Sequence, residues 1–318
     1  MNAGKERAFP KDSPDISVRI GPLELRSPFM PASGTFGYGR EYRGLVDYRA
    51  LGAIVVKGLS LEPCPGNPPP RTVETPCGML NAVGLQNPGV DYFLRNHLPW
   101  LRDLEIPVIV NVWGKTIQEY AALARRLHDS GVAALELNVS CPNVKAGGVH
   151  FGTDPRALRQ VVRAAAEQTD LPLIPKLPPL LHETAGMVQA AAEAGATAIT
   201  LVNSVPAMKV DVARRRPALA AVTGGLSGPA IHAIAVRLVW QAARASPIPI
   251  IAAGGVATAE DAIEFFIVGA SAVQIGTSIF TSPRIFGDLR ERLLKYLLES
   301  NFSSLTQVVG SLVEKPEA

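Results

Sequence analysis

Cys141 stands in a polar setting that a packing thiol would avoid. The apolar run AALELN (133–138) ends at Asn138; Ser140, Cys141, Pro142 and Asn143 follow, ahead of a loop carrying Gly147-Gly148. A thiol among amides and a hydroxyl can serve as a proton-transfer base or a nucleophile if its surroundings favour the thiolate. No CxxC occurs, and no histidine adjoins Cys141 to form a thiolate–imidazolium pair. The other cysteines, Cys64 and Cys77, and the histidines (His97, His128, His150, His182 and His232) lack ligand spacing, so no metal or iron–sulfur cluster is expected on this chain. Cys64 and Cys77 read as ordinary loop thiols rather than a disulfide. Two further residue types belong to the same chemistry. Lys57 and Lys176 each sit near the end of an apolar run, as do Asn111, Asn138 and Asn203.

The elements that must position them follow one rhythm. Short apolar runs recur as FMPAS (29–33), AIVVK (53–57), PVIVNV (107–112), AALELN (133–138), PLIPKL (172–177), ATAITLVN (196–203), IPIIAAGG (248–255) and SAVQIG (271–276). They are continuous rather than alternating, as parallel strands covered on both faces require. Helical spacing follows them, as in Ile231, Ile234, Ala235, Leu238 and Val239, or Phe286, Leu289, Leu293 and Leu297. Eight strand–helix units predict an α/β fold, a single (β/α)8 TIM barrel. A doubly wound open sheet shares the alternation, but no GxGxxG follows the first strand. Before the first run, Ile16, Val18 and Ile20, the break Gly21-Pro22, then Leu23 and Leu25 predict a β-hairpin capping the barrel bottom. Residues 1–15 read as a disordered lead-in and 16–318 as one domain.

Chemistry in this fold gathers at the C-terminal strand ends. The first strand ends at Ser33, the second at Lys57-Gly58, the third holds Asn111, the fourth Asn138 and the fifth Lys176. The sixth ends Val202-Asn203-Ser204, the seventh Gly254-Gly255 and the eighth Gly276-Thr277, with Gly228-Pro229 as a further helix start. Gly254-Gly255 and Gly276-Thr277 at the last two strands predict a phosphate site, where backbone N–H groups can approach an anion. Lysines far from that end point to a larger ligand, a flavin mononucleotide across the mouth, whose negative reduced ring a lysine can stabilise. The Pro/Gly-dense segment 58–89 is long for a barrel loop and is expected to be functional as an unstructured excursion. Its end, Asn81-Ala82-Val83-Gly84-Leu85, joins Asn138, Asn143 and Asn203 in a neutral donor/acceptor set suited to an amide, imide or carboxylate ligand.

Composition excludes several classes. With 47% hydrophobic and 19% charged residues the chain has material for an ordinary core, and a net charge of +3 does not call for nucleic acid. No apolar segment is long enough to span a membrane, and MNAGKERAFPKDSPD lacks the apolar core of a signal peptide, so a cytoplasmic protein is expected. Arg214-Arg215-Arg216 reads as a solvated loop or subunit contact.

The stretches PASGTFGYG (31–39), VVKGLSLEPCPGNPPPR (55–71), NAVGLQNPG (81–89), ELNVSCPNVKAGG (136–148), VTGGLSGPAI (222–231), AAGGV (252–256) and QIGTSIF (274–280) resemble dihydroorotate dehydrogenases of class 1. GTFGYG and NVK-x-GG look most like class 1B, the NAD-linked catalytic subunit; Cys64 departs from the arginine expected there. The resemblance implies oxidation of dihydroorotate to orotate in pyrimidine biosynthesis, with Cys141 removing the C5 proton while FMN takes hydride from C6. It implies FMN contacts from Ser33, Lys57, Gly58, Asn111, Asn138, Lys176, Val202, Gly228, Gly254, Gly255, Gly276 and Thr277. Substrate contacts are implied for Lys57, Asn81, Ala82, Val83, Gly84, Leu85, Asn138, Asn143, Asn203 and Ser204. It further implies a partner subunit carrying FAD and a [2Fe-2S] cluster, in a heterotetramer of two of each chain. Two rival enzymes share the features: a class 1A homodimer reducing fumarate, and a tRNA-dihydrouridine synthase. The latter would need a basic surface and a C-terminal helical domain, whereas only about forty residues follow the eighth strand. A non-catalytic binding barrel would not need Cys141, the lysines and the glycine pairs together.

Overall fold

The computed structural model describes residues 13–140, 151–180 and 182–314. Strands β1 (Phe29–Pro31), β2 (Ile54–Leu59), β3 (Val108–Val112), β4 (Ala134–Asn138), β5 (Leu173–Leu177), β6 (Ile199–Leu201), β7 (Ile250–Ala253) and β8 (Ala272–Ile275) form one parallel sheet, each inside an apolar run except β2, which continues past AIVVK to Leu59. Around the sheet the order is β1, β8, β7, β6, β5, β4, β3, β2. At the seam between β1 and β2 the Gly52 N–H donates to Phe29 O at 2.9 Å. Only glycine fits there, since a Cβ on Gly52 would lie 1.9 Å from Ser27 O.

Outside the sheet lie α1 (Val90–Asn96), α2 (Leu98–Arg102), α3 (Ile117–Leu127), α4 (Pro155–Ala166), α5 (Thr184–Glu193), α6 (His232–Ala245), α7 (Ala259–Ile267), α8 (Ser278–Thr281) and α9 (Ile285–Glu299). Thr116, Asp154 and Thr258 cap α3, α4 and α7 by accepting backbone N–H bonds, satisfying donors that the first turn leaves open. In α9, Phe286, Leu289, Leu293 and Leu297 are buried as their spacing predicts. In α6 the buried stripe is Ala235, Leu238 and Val239; Ile234 is 38% exposed and lies off it.

The first unit departs from the strand–helix pattern. After β1 come 3-10 turns at Arg40–Tyr42 and Tyr48–Ala50 instead of a helix. Gly34, Gly37, Gly39 and Gly44 disfavour a helix there, and aromatic contacts hold the loop instead. Phe36 stacks on Tyr42 at 4.7 Å, and the Tyr42 and Tyr48 hydroxyls donate to Thr35 O and Gly39 O.

The N-terminal hairpin, Val18–Ile20 with Leu23–Leu25, closes the bottom. Ile20 and Leu25 are buried in one cluster with Met30, Val55, Ile109, Ala134, Ile174, Ala198, Ile251 and Ala272. These are inward-facing residues near the start of each barrel strand. Side chains alternate along a strand, so the next inward residue lies two positions on. There the filling changes: Lys57, Asn111, Glu136, Lys176, Thr200 and Gln274 replace apolar residues on six of the strands.

The long segment after β2 is ordered, contrary to the expectation of an unstructured loop. Thr72–Thr75 and Gly78–Asn81 form a hairpin that pairs through Thr223–Ser227 with Val205–Met208, all antiparallel. Residues Leu80, Ala82 and Leu219 give this sheet its own small core. Since it is built from the segments after β2 and β6, it stands at the C-terminal face. Among the described residues no helix is long and apolar enough to cross a membrane.

If the hairpin closes the barrel as described, Ile20→Ala opens a cavity under all eight strands. We expect a loss of about 2–4 kcal/mol, read as a lower denaturant midpoint at unchanged slope. A change below about 0.5 kcal/mol would show that the hairpin does not contribute to the core.

Candidate active site

The polar inward layer centres on Glu136, a carboxylate with no solvent exposure. A buried charge is tolerated only when paired and hydrogen-bonded. Glu136 accepts from Asn111 Nδ2 (2.7 Å), Thr200 Oγ1 (2.9 Å) and Gln274 Nε2 (2.5 Å), and Lys176 Nζ lies 3.7 Å from its Oε1. Lys176 in turn donates to Gln274 Oε1 at 2.8 Å. Sequence patterning singles out Asn111 and Lys176 but misses Glu136, Thr200 and Gln274. The signal available was a carboxylate within the apolar strand AALELN, two residues beyond an inward alanine.

Among the described residues two buried atoms in and beside this layer have no partner, Asn111 Oδ1 and the Trp113 indole N–H. A Cβ on Gly58 would lie 2.6 Å from Asn111 Oδ1, so Gly58 keeps that oxygen clear of a side chain. Lys57 and Gly58 lie within β2, not beyond its end. Burial first, and then the Arg71 guanidinium, hold the Lys57 ammonium below the ordinary lysine range, with Glu41 opposing them. Among the described residues no carboxylate forms an ion pair with it.

A second group joins strand ends to the mouth sheet. Asn138 Oδ1 accepts from Ser140 N (3.3 Å) and Ser140 Oγ (2.7 Å), and Asn203 Nδ2 donates to that same hydroxyl. Ser204 N donates to Asn203 Oδ1 at 2.8 Å, and a Cβ on Gly225 would overlap Ser204 Oγ. Asn81 Nδ2 donates to Gly225 O at 3.3 Å. Asn81, Asn138, Asn203 and Ser204 thus come together, linked by Ser140 and Gly225, which patterning missed.

The loop from Ala82 to Leu85 turns its acceptors inward on itself. Asn67 Nδ2 and N bond to Ala82 O and Val83 O, Cys64 Sγ approaches Gly84 O, and Asn87 Nδ2 bonds to Leu85 O. Among the described residues nothing accepts from the N–H groups of Val83, Gly84 and Leu85. Successive unspent N–H donors suit an oxygen-rich, negatively charged group.

The third group lies at the last strands. Val202 N donates to Ala253 O at 2.8 Å, and Val202 Cγ2 would lie 3.4 Å from a Cβ on Gly254. Gly254, Gly255 and Gly228 have φ of 134, 77 and 93°, the region where glycine is favoured. The Thr277 hydroxyl donates to Ser227 Oγ at 2.7 Å beside Gly228. Gly276 packs against Ala32, next to buried Ser33. Gly228-Pro229 opens a 3-10 turn, from which α6 continues. Cys64 and Cys77 are free thiols. Cys141 and Asn143 lie outside the described residues.

Comparison with known proteins adds an independent line. Residues 16–297 match the family model for dihydroorotate dehydrogenase. The chain is 49% identical over 300 residues to the dihydroorotate dehydrogenase B (NAD(+)) catalytic subunit of Citrifermentans bemidjiense, covering 94% of this chain and 98% of that one. It is 51% identical over 300 residues to the protein of that name from Geobacter sulfurreducens, with the same coverage. For Pelobacter propionicus the figures are 50% over 300 residues, covering 94% and 99%.

The position of Lys57 generates a stability prediction. Its charge is disfavoured in the fold, so the penalty is fully present at neutral pH and vanishes only once the free amine is deprotonated in both states. Lys57→Met should therefore stabilise the ligand-free chain at pH 7 by about 1 kcal/mol. A lower melting temperature for the variant would contradict this account.

Proposed function

The chain belongs to the dihydroorotate dehydrogenase family, and from that membership we propose that it is the catalytic subunit of an NAD-linked enzyme that oxidises dihydroorotate to orotate in pyrimidine biosynthesis. The observation that carries the reading is the change of the barrel filling, above an apolar plug, to a polar layer carrying Lys176, Asn111 and Lys57. The chemistry belongs to one domain, residues 16–318.

The family implies FMN, and the residues present fit it. Among the described residues Asn111 Oδ1 is a buried acceptor lacking a donor, and a Cβ on Gly58 would lie against it, so Gly58 keeps it open to a ligand N–H. Ser33, Lys57, Gly58, Asn111, Asn138 and Lys176 would hold the ring, and Val202, Gly228, Gly254, Gly255, Gly276 and Thr277 the phosphate side. When bound, FMN would supply the acceptor for the hydride leaving C6 of dihydroorotate.

The remaining work falls to this chain. Cys141 removes the C5 proton as a thiolate, so the substrate loses one proton and one hydride and gains the C5–C6 double bond. Lys57, Asn81, Asn138, Asn143, Asn203 and Ser204 hold the substrate. The free N–H groups of Val83, Gly84 and Leu85 receive its carboxylate or imide oxygens, and Ala82 fixes the loop through the bond from Asn67. The four asparagines are neutral and tolerate a substrate that presents both donors and acceptors.

The relatives' names specify a catalytic subunit and NAD(+), which supports a division of labour. A partner carrying FAD and a [2Fe-2S] cluster passes the electrons to NAD in a cytoplasmic heterotetramer of two of each chain. Co-purification with that partner should give the mass of two plus two chains; a lone monomer would count against the assembly.

The activity is tested by adding dihydroorotate anaerobically to the FMN-loaded chain and following the visible spectrum. The flavin bands should bleach at once, and Cys141→Ala should keep the bands but bleach roughly 10²–10⁴ times more slowly. A wild-type flavin that stays yellow would remove dihydroorotate as substrate. Undiminished bleaching in the variant would remove Cys141 as base.

A further inference from the structure

Glu136 touches neither of the groups of residues to which substrate or phosphate was assigned, yet it occupies the centre of the barrel. Its partners come from four strands: Asn111 on β3, Lys176 on β5, Thr200 on β6 and Gln274 on β8. Stability alone does not explain a carboxylate there. One layer below, the same strands fill the interior with isoleucine and alanine, and apolar residues of matching volume usually serve as well as or better than a buried ion pair.

A carboxylate can only accept hydrogen bonds, and this fixes the orientation of every amide around it. Asn111 must turn its Nδ2 toward Glu136 Oε1, which leaves Oδ1 free, buried and facing the open side of Gly58. Gln274 must turn its Nε2 toward Glu136 Oε2, which leaves its Oε1 to accept from Lys176 Nζ. The Lys176 ammonium has three N–H donors, of which Gln274 takes one and Glu136 faces a second.

We propose that Glu136 is a positioning residue that sets the polarity of the barrel mouth. Through Asn111 it presents a lone acceptor to a ligand N–H, and through Lys176 it holds a cation beside an electron-accepting ring. The inference rests on the reading that the mouth holds FMN. Its substance is that Glu136 acts on the cofactor through Lys176, the residue it helps hold in place.

The test uses the FMN-loaded chain and the midpoint potential of its bound flavin, a readout independent of turnover. Glu136→Gln preserves shape but removes the carboxylate that compensates Lys176, and among the described residues no other carboxylate lies within ion-pair distance of that ammonium. Without that carboxylate the ammonium keeps only Gln274 Oε1 among its described partners and is no longer held from two sides. A cation no longer fixed beside the ring favours its reduced, negatively charged form less, so the potential should move to a more negative value. Lys176→Met should move it in the same direction, and adding Glu136→Gln to Lys176→Met should move it no further, which a double-mutant cycle reads directly. An unchanged potential in Glu136→Gln, or a shift that persists in full in the Lys176→Met background, would overturn the proposal. Should Glu136→Gln not fold, Thr200→Val removes one bond to the carboxylate without touching Lys176. A smaller shift of the same sign supports the proposal, and no shift overturns it. A wild-type chain that takes up no FMN would defeat the cofactor reading, a result distinct from either of these.

Discussion

A carboxylate inside a barrel constrains everything around it, because each surrounding strand must deliver its donor to the same point. Glu136 meets side chains from β3, β5, β6 and β8. A slip of one residue in any of those strands would turn its donor outward and leave the carboxylate short of a partner. The network therefore ties strand register to site geometry. The apolar layer beneath it performs the opposite task, excluding water through non-directional packing by Ile20, Leu25 and the inward residues of the strands. One layer specifies, and the other drives collapse.

The two lysines of the mouth differ in what surrounds them. Lys176 is buried beside a carboxylate and an amide oxygen. Lys57 is partly exposed, shifted down by burial and by Arg71, and lacks an ion-pair partner among the described residues. An anchored cation suits a permanent ligand, whereas one whose charge is disfavoured gains most from an anion that comes and goes. The two lysines thus differ in how firmly they are held: one is fixed by its neighbours, the other is left with a disfavoured charge and no described ion-pair partner.

Much of the fold was legible because parallel strands leave an unmistakable trace: each of the eight apolar runs overlaps a barrel strand. The hairpin was legible from its alternation about Gly21-Pro22. The strand-end lysines and asparagines were legible because such residues are poor choices in a covered sheet. Glu136, Thr200 and Gln274 were missed because attention went to strand ends, while the polar layer begins one inward position earlier. Where Lys57 meets the mouth, β2 continues through Leu59, so the end of an apolar run is not the end of a strand. The mouth sheet escaped because its pairing is long-range: nothing local in Thr72–Thr75 or Gly78–Asn81 announces that Thr223–Ser227 will lie beside them. The missing first helix follows from glycine content that was visible but outweighed by the regularity of the other units.

That mouth sheet sets an order of assembly. Asn81 pairs with Gly225, 144 residues away, with four of the eight barrel strands between them. Neither half can find the other until β2 and β6 stand in place, since such distant contacts close only after the intervening chain is ordered. The sheet is thus a late-forming body on an earlier-forming base, with its own small core of Leu80, Ala82 and Leu219. A unit of that kind can open as a whole while the barrel stays folded. Because it carries the Val83–Leu85 donors on one side and Gly225 beside Ser204 on the other, its opening would release both sides of the substrate site in one motion.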